Sequence, residues 1–181
     1  MGVKRPGPPQ RGAAGRARAP SRASGTVAPG VGDVVEQVRR LDRGLRLAAR
    51  EVEAVIGASA AQLFVLEQLA GARALSIGEI AERTLTDRSS VSAVVDRLAE
   101  RGLVVRRPSD ADRRRAEVRV TPAGRTLLAR APAAPTARLL AALASLPRPT
   151  VVRLARDLAR LNAALGLAGA PAPLLFGEDE R

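Results

Sequence analysis

A short arginine-rich loop is the part of the sequence whose side-chain spacing points most clearly to chemistry. It runs over residues 109–115, between two strand-like segments, and holds Asp112 two positions before Arg114. In extended chain such residues project to the same side, so the carboxylate can orient the guanidinium. An oriented arginine at a hairpin tip suits the minor groove of duplex DNA, where the negative potential is strong.

Cationic side chains crowd this loop and the strand before it: Arg106, Arg107, Arg113, Arg114 and Arg115. A solvated charge run is the alternative, but mutual repulsion within a short hairpin disfavours it.

The segment from Asp87 to Arg101 predicts a helix with a second group of residues suited to DNA. Its apolar residues Val91, Val95 and Leu98 share one face, which must be the core. Small hydroxyl and cationic side chains lie near its start or on its exposed face: Thr86, Arg88, Ser89, Ser90, Ser92 and Arg97. Such a face lets a helix backbone enter the major groove and offers donors to bases and phosphates. An ordinary amphipathic helix with a polar solvent face is an equally good interpretation of this segment alone.

Composition supports a polyanionic partner and excludes several other functions. The 181 residues include 30 Lys+Arg against 18 Asp+Glu, a formal charge of +12, with no Cys or His. A cysteine or histidine nucleophile and a zinc site of the usual kind are therefore excluded. Glu79 and Glu82 share a helix face, but Glu79 is explained as a helix cap, so acid–base catalysis is not expected. We expect no catalytic residue, no metal site and no cofactor.

The two ends of the chain are expected to lack regular structure. Residues 1–32 contain six Lys or Arg, no acid and many Pro and Gly, which predicts a disordered basic arm. Residues 167–181 are expected to form a flexible tail. No apolar run is long enough to span a membrane, and the basic N-terminus lacks the apolar stretch of a secretory signal. We therefore expect a cytoplasmic protein with no membrane partner.

The elements between these ends predict a winged helix-turn-helix. Capping boxes begin at Ser59 and Ser76, and Thr121-Pro122 marks the start of a helix after the predicted hairpin. Pro132 and Pro135 must kink or split that helix. The predicted fold is mainly α with a small β wing. Its DNA-binding domain covers 58–121, and helical dimerisation regions cover 33–57 and 122–166.

Narrow apolar seams on the first and last helices predict a homodimer. The spacing alternates between three and four residues in both segments, which suits packing of one helix against another. The seam residues expected at the dimer interface are Val34, Val38, Leu41, Leu45, Val52, Leu154, Leu158, Leu161 and Leu165. Packing within one chain is the alternative interpretation. The position of the seams at the two ends of the folded part favours the dimer.

The segment from Ser76 to Gly124 resembles the multiple-antibiotic-resistance-type (MarR) regulators. The similarity is carried by the wing sequence from Asp112 to Gly124 and by the stretches from Ser89 to Ser92 and from Val95 to Val104, whereas Ala93 departs from the longer polar residue of many relatives. The resemblance implies a homodimer with interlocked first and last helices that binds a pseudo-palindromic operator and is often released by a small ligand. It also implies that Asp112 positions Arg114 in the minor groove.

The sequence thus predicts a homodimeric, sequence-specific regulator of transcription, a repressor, whose partners are double-stranded DNA and a second copy of itself. Half-sites should lie about 10–10.5 bp apart, or a multiple of that. Release by an unidentified small-molecule effector is part of the hypothesis, although the aliphatic region around Pro132 and Pro135 is better explained as packing than as a ligand site. A non-specific architectural DNA-binding protein and a protein-interaction adaptor remain the alternatives.

Overall fold

The structure is a computed structural model that describes residues 1–2, 29–108, 116–170 and 172–177. Within these ranges the chain forms seven helices and one two-stranded sheet. The elements are α1 (Val31–Ile56), α2 (Ala60–Ala70), α3 (Ile77–Thr84), α4 (Arg88–Glu100), β1 (Val104–Pro108), β2 (Ala116–Val120), α5 (Pro122–Leu128), α6 (Pro135–Ala144) and α7 (Arg148–Ala164). The mainly helical fold class with a small β wing is confirmed.

Local capping chemistry fixes the helix boundaries. The Ser59 side chain accepts the N–H of Gln62, and the Gln62 side chain accepts the N–H of Ser59 in return, which begins α2. Ser76 and Glu79 form the same reciprocal pair at the start of α3. Such boxes satisfy backbone donors that the first helical turn leaves unpaired. Gly57 ends α1 in the left-handed conformation, with φ 61°.

The wing is an antiparallel hairpin that is tied to the rest of the domain. Val104 pairs with Val120 and Arg106 with Val118 in its register. Leu75, in the connection between α2 and α3, exchanges backbone hydrogen bonds of 3.1 and 2.7 Å with Val118. Since Val104 and Val118 are buried, this face of the hairpin is fixed against the core.

The core is centred on α2, whose side chains are buried on nearly every side. Leu63, Phe64 and Leu66 are almost wholly inaccessible and pack among the apolar faces of α3, α4 and the hairpin. Val52 of α1 is also wholly buried in this cluster. The sequence analysis assigned Val52 to the dimer interface. In the structure, Val52 instead packs against residues of its own chain.

The prolines after the hairpin split the helical region, as expected. Helix α5 ends at Leu128 and α6 begins at Pro135, because a proline within a helix removes a backbone donor and clashes with the preceding turn. Glu67 of α2 accepts the N–H of Ala134 over 2.9 Å, at the start of α6. Burial raises the pKa of Glu67, while the Ala134 N–H acts in the opposite direction.

Over the described ranges, no single helix has the length and apolar character to cross a membrane, although α1 and α2, bent by 74°, satisfy such a test when joined. The same residues contain no cluster of three or more acidic side chains placed to hold a metal ion.

Candidate nucleic-acid interface

The N-terminal end of α4, the second helix of the helix-turn-helix, is organised by Asp87. Its carboxylate accepts the N–H of Ser90 over 2.8 Å and the hydroxyl of Ser90 over 2.6 Å. The bonds from the Ser90 hydroxyl and backbone lower the pKa of Asp87. The sequence placed Ser90 among the DNA contacts, but its hydroxyl proton is directed to Asp87. Ser90 therefore helps to build the cap rather than offering a free donor.

Arg88 and Ser89 are the exposed residues of the first turn of α4. The Arg88 guanidinium lies over the beginning of α3, where a Cβ built on Gly78 would stand 3.2 Å from Arg88 Nη2. Thr86, in the turn between the two helices, donates its hydroxyl to the carbonyl oxygen of Ala172 over 3.1 Å. Backbone donors of a helix N-terminus, a small hydroxyl and a guanidinium together can bind an anion such as a phosphate.

Arg106 connects the wing to the recognition helix. Its Nη2 lies 2.8 Å from Asp96 Oδ1, and the same nitrogen lies 3.5 Å from the Ser92 hydroxyl oxygen. Because Arg106 is the register partner of the buried Val118, its side chain leaves the hairpin on the face directed toward α4. The sequence analysis grouped Arg106 with the DNA-contacting arginines and identified no partner for it. The structure instead pairs it with Asp96.

Arg107 occupies the other face of the hairpin, opposite Glu117 in the register, and is exposed. Glu117 Oε2 lies 3.3 Å from Arg119 Nη2, so this outer face carries charges of both signs. The predicted wing-tip residues lie outside the described residues; they are Asp112, Arg113, Arg114 and Arg115.

The C-terminal end of α4 is held by a contact that sequence reasoning missed. Arg101 Nη1 donates to Gln62 Oε1 over 2.8 Å, although the two residues are 39 positions apart. Gln62 is buried and already serves in the capping box of α2. Arg97, a predicted DNA contact, is half-buried one turn earlier. The only sequence signal for the link was the polar Gln62 within the otherwise apolar first half of helix α2.

Most of the predicted dimer residues remain on the surface of the single chain. The exposed apolar side chains among them are Val34, Val38, Leu41, Leu154, Leu158, Leu161 and Leu165. Leu45 is half-buried. Over its full length α7 buries none of its residues in the chain. Contiguous exposed apolar surface of this kind commonly marks an interaction site.

Comparisons with known proteins agree with this architecture. Residues 56–115 match the model of the MarR family. Over 82 residues the chain is 38% identical to a protein assigned as a transcriptional regulatory protein for the hcr operon of Thauera aromatica. That match covers 45% of this chain and 49% of the relative, so it spans about half the length of the curated protein.

Two solved structures share the fold. The PcaV transcriptional regulator from Streptomyces coelicolor, solved with its natural ligand, is 26% identical with a TM-score of 0.50, covering 79% of this chain and 99% of that one. A MepR-like protein solved with pseudoligands is 18% identical with a TM-score of 0.52, covering 75% and 95%. The helix-turn-helix with its wing, the matched region 56–115 and the curated relative together make this chain similar to the MarR family of winged helix-turn-helix proteins.

Proposed function

We propose that this protein is a transcriptional regulator that binds duplex DNA through α4 and the wing. The observation that carries the proposal is the arrangement of Arg88 and Ser89 at the exposed start of α4, beside a basic hairpin joined to that helix by the Arg106–Asp96 pair. One helix can then enter the major groove while the hairpin reaches the adjacent backbone or minor groove. The transcriptional role assigned to the Thauera aromatica relative supports this function.

The proposed active form is a homodimer. The exposed apolar seams of α1 and α7 lie outside the helix-turn-helix, so their association would leave both recognition helices free. A two-fold arrangement would present the helices to a pseudo-palindromic site with half-sites about 10–10.5 bp apart, or a multiple of that. Binding to an operator that overlaps a promoter would make the protein a repressor.

A small-molecule effector is a further part of the proposal. A groove of about 320 Å³ lies between α1 and α6, with Leu41, Leu45 and Leu139 in its lining and Arg40 and Arg138 beside them. An apolar wall beside the Arg138 guanidinium suits a small organic anion, whereas Arg40 is paired with Glu36. The PcaV regulator was solved with its natural ligand, which supports effector control in a similar fold.

Selection of bound duplexes from a random pool by the full chain tests the proposal. A palindromic consensus is expected. Uniform recovery of all sequences would favour an architectural DNA-binding protein, and no recovery would favour a protein-interaction adaptor.

Arg114→Ala, measured on the selected duplex, tests the wing. We expect a loss of about 1–3 kcal/mol of binding free energy, with reduced preference at the bases beneath the wing. Arg148→Ala removes the same charge from the exposed start of α7 and serves as the matched control. Equal losses in the two variants would contradict a specific role for Arg114.

A further inference from the structure

The chain beyond α7 returns to the helix-turn-helix. Residues 172–177, which we name the C-terminal strap, begin with the Ala172 carbonyl that accepts the Thr86 hydroxyl over 3.1 Å. Leu174 is only 5% exposed and belongs to the hydrophobic core cluster, whereas its neighbour Leu175 is 38% exposed. The sequence predicted a flexible tail for this region. A buried leucine and a hydrogen bond across 86 positions instead attach it to the domain.

The attachment point lies at the end of α4 that the proposed function assigns to DNA. Thr86 directly precedes Asp87, the N-cap of the helix, and Arg88, its first residue. With the strap in place, the Thr86 hydroxyl proton is directed to Ala172 and is not offered to a phosphate. The strap backbone also occupies space beside the helix start, because a hydrogen bond of 3.1 Å brings the two segments into van der Waals contact.

The residues that follow the strap carry negative charge. Glu178, Asp179 and Glu180 precede Arg181, so these four positions sum to −2 (three acids against one arginine). They follow Gly177 directly in the sequence. Phosphates approaching a docked strap would meet like charge, which disfavours their binding.

We propose that the C-terminal strap is an autoinhibitory contact that competes with DNA for the N-terminal end of α4. The inference rests on the proposed DNA-binding function and adds a level of control to it. DNA binds the state in which the strap has left Thr86, so the apparent dissociation constant is the intrinsic one divided by the fraction of chains with the strap undocked. Any partner that captures residues 172–177 would increase DNA affinity by the same linkage.

The first test compares Leu174→Ser with Leu175→Ser in the full chain. Both substitutions remove one leucine from the strap, but only the first removes a buried anchor. Binding to a mixed-sequence duplex of about 30 bp is measured by fluorescence anisotropy at low salt. We expect Leu174→Ser to bind roughly tenfold more tightly than the wild type and Leu175→Ser to stay within about twofold. Equal affinities in the two variants, with both folded by circular dichroism, would overturn the proposal.

A second variant leaves the hydrophobic core unchanged, so it tests autoinhibition by the strap even if Leu174→Ser fails to fold. Glu178→Gln, Asp179→Asn and Glu180→Gln together neutralise the acidic residues while keeping the strap anchor. We expect tighter binding at low salt and a difference that shrinks as salt rises, because exposed charges are screened. The matched control makes three equivalent changes on exposed positions of α1 and α7: Asp33→Asn, Glu51→Gln and Asp157→Asn.

The possible results distinguish a failure of the autoinhibition proposal from a failure of the proposed DNA-binding function. A larger gain in affinity for the strap variant than for the control supports autoinhibition. Equal gains would mean that net charge alone is responsible and would overturn it. If the wild type and every variant leave the duplex unbound, the proposed DNA-binding function fails, and the inference falls with it.

Discussion

Arg106 in strand β1 and Asp96 in helix α4 form an ion pair in which Arg106 Nη2 lies 2.8 Å from Asp96 Oδ1. The two residues belong to different elements of the winged helix-turn-helix, and the Ser92 hydroxyl adds a second, weaker contact at 3.5 Å. Both side chains are partly exposed, so the pair stabilises the fold by little. Its effect is geometric, because it adds a side-chain link between the wing and the helix.

Arg106→Ala should therefore affect DNA binding more than Arg107→Ala, its neighbour on the opposite face of the hairpin. Each change removes one positive charge, but only the first removes the side-chain link between the wing and α4 and leaves the Asp96 carboxylate without this partner. We expect roughly three- to tenfold weaker binding for Arg106→Ala relative to Arg107→Ala, with unfolding free energies changed by less than about 1 kcal/mol. A double-mutant cycle with Asp96→Asn checks this, and additive effects on affinity would contradict the coupling.

Gly124→Ala should destabilise the domain strongly. A Cβ at this buried position would lie 2.3 Å from the Leu103 carbonyl oxygen and 2.8 Å from Val120 Cγ1, so backbone must move to admit it. We expect the free energy of unfolding to fall by about 2–4 kcal/mol in urea denaturation. Gly71→Ala is the control, because Gly71 has open space around it and φ −79°, and we expect its change to stay within about 0.5 kcal/mol.

The free energy of unfolding should depend on pH because the Glu67 carboxyl is partly buried. Burial raises the pKa of this carboxyl above its ordinary value of 4.5, so its ionised form is less favourable in the folded chain than in the unfolded one. The favourable contribution of the protonated Glu67 carboxyl to the free energy of unfolding is fully present below pH 4.5. It is lost as the pH rises through the raised pKa of this carboxyl in the folded chain. Glu67→Gln keeps an acceptor for the Ala134 N–H, and we expect a higher melting temperature than the wild type at pH 7, with the difference shrinking toward pH 4.

Glu67→Ala provides the contrasting variant. It removes the acceptor, and since Ala134 is fully buried, its N–H loses its partner. The expected cost is about 1–3 kcal/mol at neutral pH. If the glutamine and alanine variants melted alike across the pH range, the hydrogen bond at the start of α6 would have no energetic role.

Leu158→Glu should convert the proposed dimer into a monomer. Leu158 lies at the centre of the exposed apolar seam of α7, and a buried, unpaired carboxylate at an interface is strongly unfavourable. Sedimentation velocity at micromolar concentration measures the change. Ala159→Glu places the same charge at an exposed position off the seam and should leave the wild-type association intact. A wild-type chain that sediments as a monomer would contradict the dimer.

Features set by neighbouring residues could be predicted from the sequence. The reciprocal caps at Ser59 and Ser76, the left-handed end of α1 at Gly57 and the break caused by Pro132 and Pro135 all depend on a few adjacent side chains. The hairpin followed from the alternation before Thr121. For these elements, local backbone chemistry was sufficient.

Features that depend on how elements pack were missed. The Arg106–Asp96 pair requires the wing to lie over a particular side of α4, and the Glu67–Ala134 bond joins residues 67 positions apart. Val52 continued the apolar spacing of its helix and was assigned to a dimer surface, because periodicity does not reveal which chain covers a seam. Leu174 lacked any periodic context at all.

The Gln62 side chain joins two segments of the fold that are far apart in the sequence. One buried amide oxygen accepts both the Ser59 N–H at the corner between α1 and α2 and the Arg101 guanidinium at the far end of α4. Loss of the Gln62 side chain would therefore remove a contact at the start of α2 and another at the C-terminal end of α4 at the same time.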